Sequence, residues 1–214
     1  MSILFCIGSA CFALGSFPLY FDHVSAAITA STFFVGSIFF TSASYVQWRG
    51  TFRAADPNGG DASGWRAWPR RRPIVGWRPR SIDWWAAVIQ FVGTIEFNIS
   101  TFSATLTDLT IDQERHLIWA PDVYGSTCFL VSSVLAQVAA GRVRRTRRDG
   151  PLGWWIALLN LAGSIAFGWA AIAGRYLTTT GEVANLQVVN LGTFLGAVCF
   201  FVASALLPRQ SSLA

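Results

Sequence analysis

A chain of 214 residues that is 53% hydrophobic and only 13% charged, with a mean hydropathy of +0.45, has too few polar residues to clothe a soluble globule. The composition excludes a soluble one- or two-domain protein and makes a bilayer the solvent. Net charge is +5, and every basic residue is an arginine.

Windows of about 20 residues, enough to cross a hydrocarbon core of roughly 30 Å, predict six helical spans. The first covers 3–21; no basic residue precedes it, so it is expected to be a retained helix and not a cleaved signal. A second covers 26–48, and the Asp22-His23 turn between them is short. An Arg-, Trp- and Pro-rich loop over 49–80 leads to spans at 84–106 and 123–140. A basic loop over 142–149 then leads to spans at 152–173 and 183–207.

The arginines set the orientation. Eight lie between Arg49 and Arg80, five between Arg142 and Arg148, and Arg209 follows the last span, so 14 of the 16 fall on one side. By the positive-inside rule that side is cytoplasmic, with both termini. Trp48, Trp84, Trp85, Trp154 and Trp155 fall at the same ends, where an indole bridges apolar and polar layers. The expected location is the cell inner membrane, in contact with anionic lipid headgroups. The positive charge is then topology, and no nucleic-acid partner is expected.

A five-residue pattern recurs in every span: Gly8 to Phe12, Gly36 to Phe40, Gly93 to Phe97, Gly125 to Phe129, Gly163 to Phe167 and Gly196 to Phe200. Its form is Gly, a small residue, two variable positions, then Phe. Trp84-Trp85 and Trp154-Trp155 precede their glycines by the same step, Gln90 aligns with Asn160, and Cys128 aligns with Cys199. The repeating unit is therefore a two-helix hairpin, present over 1–48, 81–141 and 150–214. Each unit crosses twice, so the three share one orientation and form a parallel repeat. Gly and Phe four residues apart lie about 40° apart on a helix, so the Gly notch admits a neighbouring helix and the Phe fills the groove beside it. Gly192 adds a Gly-x-x-x-Gly with Gly196 in the last span.

The Gly-Ser-x-x-Phe signature in both helices of a compact hairpin resembles the bacterial YrhK-type membrane domain, over 84–137 and again over 154–207 and 3–47. That resemblance implies a fold and carries no activity. Mitochondrial carriers also have three hairpins, but no Pro-x-Asp/Glu-x-x-Lys/Arg signature ends an odd-numbered span here.

Glu96 is the ionisable residue well inside a span, roughly 20 Å from Asp83 along the helix. Two accounts stand: a titrating proton or cation site, with Gln90 and Asn160 as partners, or a protonated carboxyl bonded to another helix. The residue lies about 60° from Gly93 on the helical wheel, which points it towards protein. On the outer side, Asp112, Glu114 and His116 at extended spacing are weak metal-ligand candidates, and a solvated acidic loop is the ordinary reading. Arg70, Arg71, Arg72, Trp77 and Arg78 suit an anionic leaflet or a partner subunit. The four cysteines lie in spans, with no Cys-x-x-Cys pair. No nucleophile elbow, zinc motif or phosphate-binding loop occurs, so no catalytic role and no cofactor is expected. The expected role is a non-enzymatic scaffold, accessory or assembly subunit, in a homo-oligomer or larger membrane complex. The alternative is a small proton- or cation-translocating protein using Glu96.

Overall fold

The computed structural model describes residues 1–51, 77–146, 151–177 and 181–212. Eight helices occur among them: α1 (Ser2–Gly15), α2 (Pro18–Phe21), α3 (Ala26–Gly50), α4 (Ile82–Ser103), α5 (Ile111–Glu114), α6 (Ala120–Thr146), α7 (Pro151–Ala173) and α8 (Leu186–Ser212). A five-residue π turn, Arg115–Trp119, fuses α5 to α6. Four segments are long and apolar enough to cross a membrane, Ala26–Gly50, Ile111–Arg142, Leu152–Ala173 and Leu186–Arg209, which marks the chain as a membrane protein. α1 falls short in length at 14 residues. α4 has the length, but Gln90, Glu96 and Asn98 dilute its hydropathy.

Local chemistry sets the helix boundaries. Ser25 caps α3 and Ser81 caps α4, each accepting a hydrogen bond from a backbone N–H in the first turn. Asn185 does the same for α8, accepting from Val188 N at 3.0 Å. The expected first span, 3–21, is interrupted: α1 stops at Gly15, and Phe17 is extended at φ −83°, ψ 125° before Pro18 restarts one helical turn. The proline ring disfavours helical backbone in the residue before it and removes a donor. The last span also starts late, because Val183 pairs with Tyr176 in an isolated antiparallel bridge before α8 begins. The polar segment before the fourth span, expected as a loop, is helical instead. A capping box between Thr110 and Gln113 starts α5, and the π turn carries the helix on into α6.

The six long helices form a closed ring in chain order. α1 pairs with α3, α4 with α6 and α7 with α8; α3 meets α4, α6 meets α7, and α8 returns to α1. Within each pair the motif glycines face each other. A Cβ on Gly8 would lie 3.0 Å from the Gly36 carbonyl oxygen and 3.0 Å from Phe40 Cδ2, and a Cβ on Gly36 would lie 2.9 Å from Phe12 Cδ2. The same reciprocal contact joins Gly93 to Gly125 and Gly163 to Gly196. Gly192 meets α7, where a Cβ would lie 2.8 Å from the Ala166 carbonyl oxygen.

Each motif phenylalanine thereby points to the ring axis. Phe12, Phe97 and Phe167 form one triangle, with centroid separations of 6.3, 5.9 and 5.9 Å. Phe40, Phe129 and Phe200 form a second, at 6.4, 5.6 and 6.2 Å. Partners in a helix pair link the triangles at 5.4, 5.1 and 5.7 Å. The result is a trigonal prism of six rings, each at most 7% exposed, mostly in the edge-to-face geometries that aromatic quadrupoles favour.

Candidate functional site

Small polar side chains hold the seams between helix pairs. At the α3/α4 seam Thr101 Oγ1 donates to Ser37 Oγ (2.9 Å), Asn98 Nδ2 to Thr41 Oγ1 (2.8 Å) and Gln47 Nε2 to Gln90 Oε1 (3.4 Å). At α6/α7 the Ser133 and Ser164 hydroxyls lie 2.8 Å apart, and Ser164 Oγ lies 3.2 Å from the Phe129 carbonyl oxygen. The α8/α1 seam is poorer: Cys6 Sγ approaches the Phe201 carbonyl oxygen at 3.9 Å, and the buried Ser9 Oγ has no partner among the described residues.

The expected trio of Glu96, Gln90 and Asn160 does not assemble. Gln90 sits six residues before Glu96, about 9 Å along α4, and is engaged by Gln47 and by Ser132 Oγ at 3.5 Å. Asn160 belongs to α7, where its carbonyl oxygen accepts from Ser164 Oγ at 2.9 Å. Glu96 is half-buried and makes no hydrogen bond among the described residues. It holds in α4 the position of Cys11 in α1, whose Cβ would touch one on Gly36. That position is the outward edge of a helix pair, with the exposed Val92, Ile95 and Ile99 beside it on α4. No polar file leads from it to the axis, where Phe97 follows immediately in sequence.

The metal candidates separate too. His116 Nδ1 lies 2.8 Å from the Asp112 carbonyl oxygen and 3.5 Å from its carboxylate, one helical turn apart on an exposed face. Glu114, two residues from each, points another way, and no group of three metal-ligating side chains converges among the described residues.

A cluster the sequence reading missed lies at the far end of the ring, where α1, α4 and α7 finish. Tyr176 follows α7 and packs near Glu114 and Asp122. Burial, then the charges of Glu114 and Asp122, push its phenol up to about 12. Beside it the Trp119 indole N–H donates to the Ala171 carbonyl oxygen at 2.9 Å, and Arg115 Nε is buried without a partner among the described residues. Tyr176 is more than 50 residues from its acidic neighbours, so only the long-range fold reveals the cluster. The π turn is the local signal, since such turns gather at functional sites.

At the opposite end Trp77 is 73% exposed and stacks edge-on against Trp84 at 5.1 Å, with Trp84 against Trp85 at 4.9 Å. Arg78 lies within this corner, while Arg70, Arg71 and Arg72 lie outside the described residues. No protein-family model, curated protein or solved structure matches the chain.

Proposed function

We propose that this chain is a six-span protein of the cell inner membrane, three YrhK-like hairpins in one orientation with both termini cytoplasmic. It acts as a non-enzymatic scaffold or assembly subunit. One observation carries the choice over transport: the axis of the helix ring, where a pathway would run, is filled by six buried phenylalanines in mutual contact. A conducting route needs polar groups from several helices lining water, and Glu96, Gln90 and Asn160 are dispersed.

Glu96 then acts at the surface. A carboxyl at the edge of a helix pair in hydrocarbon is costly without a partner, and its docking to a polar or cationic group on another subunit's helix relieves that cost. The Arg- and Trp-rich segment from 49 to 80, including Arg70 to Arg72, Trp77 and Arg78, supports the same reading as an anchor on anionic headgroups.

Proton and cation flux into liposomes holding the native chain or Glu96→Gln, at several pH values, tests the choice. The expected flux in both equals that of empty liposomes. Native flux that vanishes in Glu96→Gln would replace the scaffold with a transporter.

A further inference from the structure

The three seams of the ring differ at the far end. α4 and α7 continue six residues beyond Phe97 and Phe167, to Ser103 and Ala173, whereas α1 stops three residues beyond Phe12, at Gly15. The α3/α4 seam is closed at this level by Phe34 against Phe102, with centroids 5.5 Å apart, and the α6/α7 seam by the Trp119 indole. At the α8/α1 seam Phe17 meets Phe194 in the same way, with centroids 5.8 Å apart, and the chain then turns away at Pro18. It leaves a groove of about 490 Å³ whose walls include Phe17, Phe21, Leu191 and Phe194. Gln187 and Asn190, in the first turns of α8, line the same groove, and neither side-chain amide is hydrogen-bonded among the described residues.

We propose that this groove binds the hydrocarbon chain of a neutral membrane lipid, with its ester or hydroxyl region held by Gln187 and Asn190. The volume lies within the roughly 300–1,000 Å³ of small-ligand sites, which likewise combine apolar walls with a few polar groups. Among the described residues no charged one lines it, so a phosphate finds there no Arg partner of the kind it normally recruits. On the spanning reading, the two amides sit in the first turns of α8, near one end of the span, and Phe194 lies one further turn, about 6 Å, along it. An amide N–H suits an ester carbonyl and an amide oxygen suits a glycerol hydroxyl; left unsatisfied there, both are penalised. The inference rests on the membrane-spanning reading above and is independent of the scaffold role.

The test uses the full chain in phosphatidylcholine nanodiscs with a monoacylglycerol carrying a diazirine in its acyl chain, photolysed and mapped by peptide mass spectrometry. Label is expected to concentrate on residues 16–21 and 186–194. It should fall about fivefold or more in Gln187→Leu/Asn190→Leu, from loss of two hydrogen bonds of membrane strength. Leu191→Trp, which fills the groove, should do the same. The double variant alters only unbonded amides, so it remains informative if Leu191→Trp fails to fold. Label spread evenly over all helix faces, or unchanged in the double variant, overturns the proposal; so does stronger labelling by an anionic phosphatidylglycerol probe. Failure of the spanning reading would show separately, as protein that does not incorporate into the nanodisc.

Discussion

Gly163 and Gly168 lie in the same helix, and the same substitution at each has opposite expected consequences. A Cβ on Gly163 would lie 2.9 Å from Phe200 Cδ2 and 3.0 Å from the Gly196 carbonyl oxygen, whereas one on Gly168 meets nothing within 4 Å. Carbon contacts relax near 3.5–4.0 Å, so Gly163→Ala must drive α7 and α8 apart by about 0.5–1 Å. The α8 backbone cannot swing aside as a flexible side chain would. Phe200, which also touches Phe167, Phe129 and Phe40, is pushed off its seat, and the strain reaches all three helix pairs. Overpacking of this kind costs about 1–3 kcal/mol, or roughly 5- to 150-fold in the unfolding equilibrium. Gly168→Ala carries no such clash and gains up to about 1 kcal/mol of helix propensity. Titration with sodium dodecyl sulfate in mixed micelles, followed by tryptophan fluorescence, measures both. Equal midpoints for the two variants would refute the reasoning, because close crossing at the motif glycine would then not constrain the pair.

Phe97→Ala opens a cavity in the prism and should cost about 3–5 kcal/mol in the same titration, with Phe97→Leu costing less. A double-mutant cycle on Thr101→Val and Ser37→Ala should return a coupling near 0.6 kcal/mol, the typical strength of a hydrogen bond between membrane helices; a coupling of zero would dissolve that seam contact. Tyr176 should ionise near pH 12 and not near 10, seen as phenolate absorbance lost in Tyr176→Phe. Its raised value leaves stability untouched below about pH 10 and erodes it as pH climbs from about 10 to about 12, because the unfolded phenol releases its proton first. Midpoints equal for native chain and Tyr176→Phe across that window would contradict the raised phenol.

The contact within each helix pair follows from Gly and Phe at this spacing, a notch and the side chain that fills it, whereas nothing in the sequence chose a closed ring over a row of hairpins. Gly8, Gly36 and their four counterparts could be paired from the sequence, and the phenylalanines meet as a consequence. Glu96 lies at the edge of the helix-pair contact, half-buried and with its charge close to Cys128 of α6. The small residue after each Gly lies about 100° round the helix, and the residue three after it about 60° the other way. Thr94 is fully buried, so the seam lies on its side, and Glu96 is turned to the opposite edge. The small residue at the next position was the available signal. Pro18 was hidden by averaging, since a hydropathy window weighs its apolarity and ignores its missing N–H. Asp112 to His116 read as a loop because their polarity outweighs a capping box spelled by Thr110 and Gln113 alone.

The motif divides the helix surface between fixed and free positions. Gly and Phe face the pair interface and the axis, and the small residue after Gly faces the seam; all three are dictated by contact distances on the ring's interior. The edge position is not. It carries Cys11 in α1, Glu96 in α4 and Ala166 in α7, a thiol, a carboxyl and a methyl that the interior tolerates equally. A difference that packing does not demand must answer to what lies outside the ring. A second copy of this chain supplies no intramembrane cation, since all 16 arginines fall outside the predicted spans. On the scaffold reading, a second copy meets Glu96 with a polar side chain and a different chain with a polar or cationic one, and the α4/α6 edge, not the sealed axis, is where that partner sits.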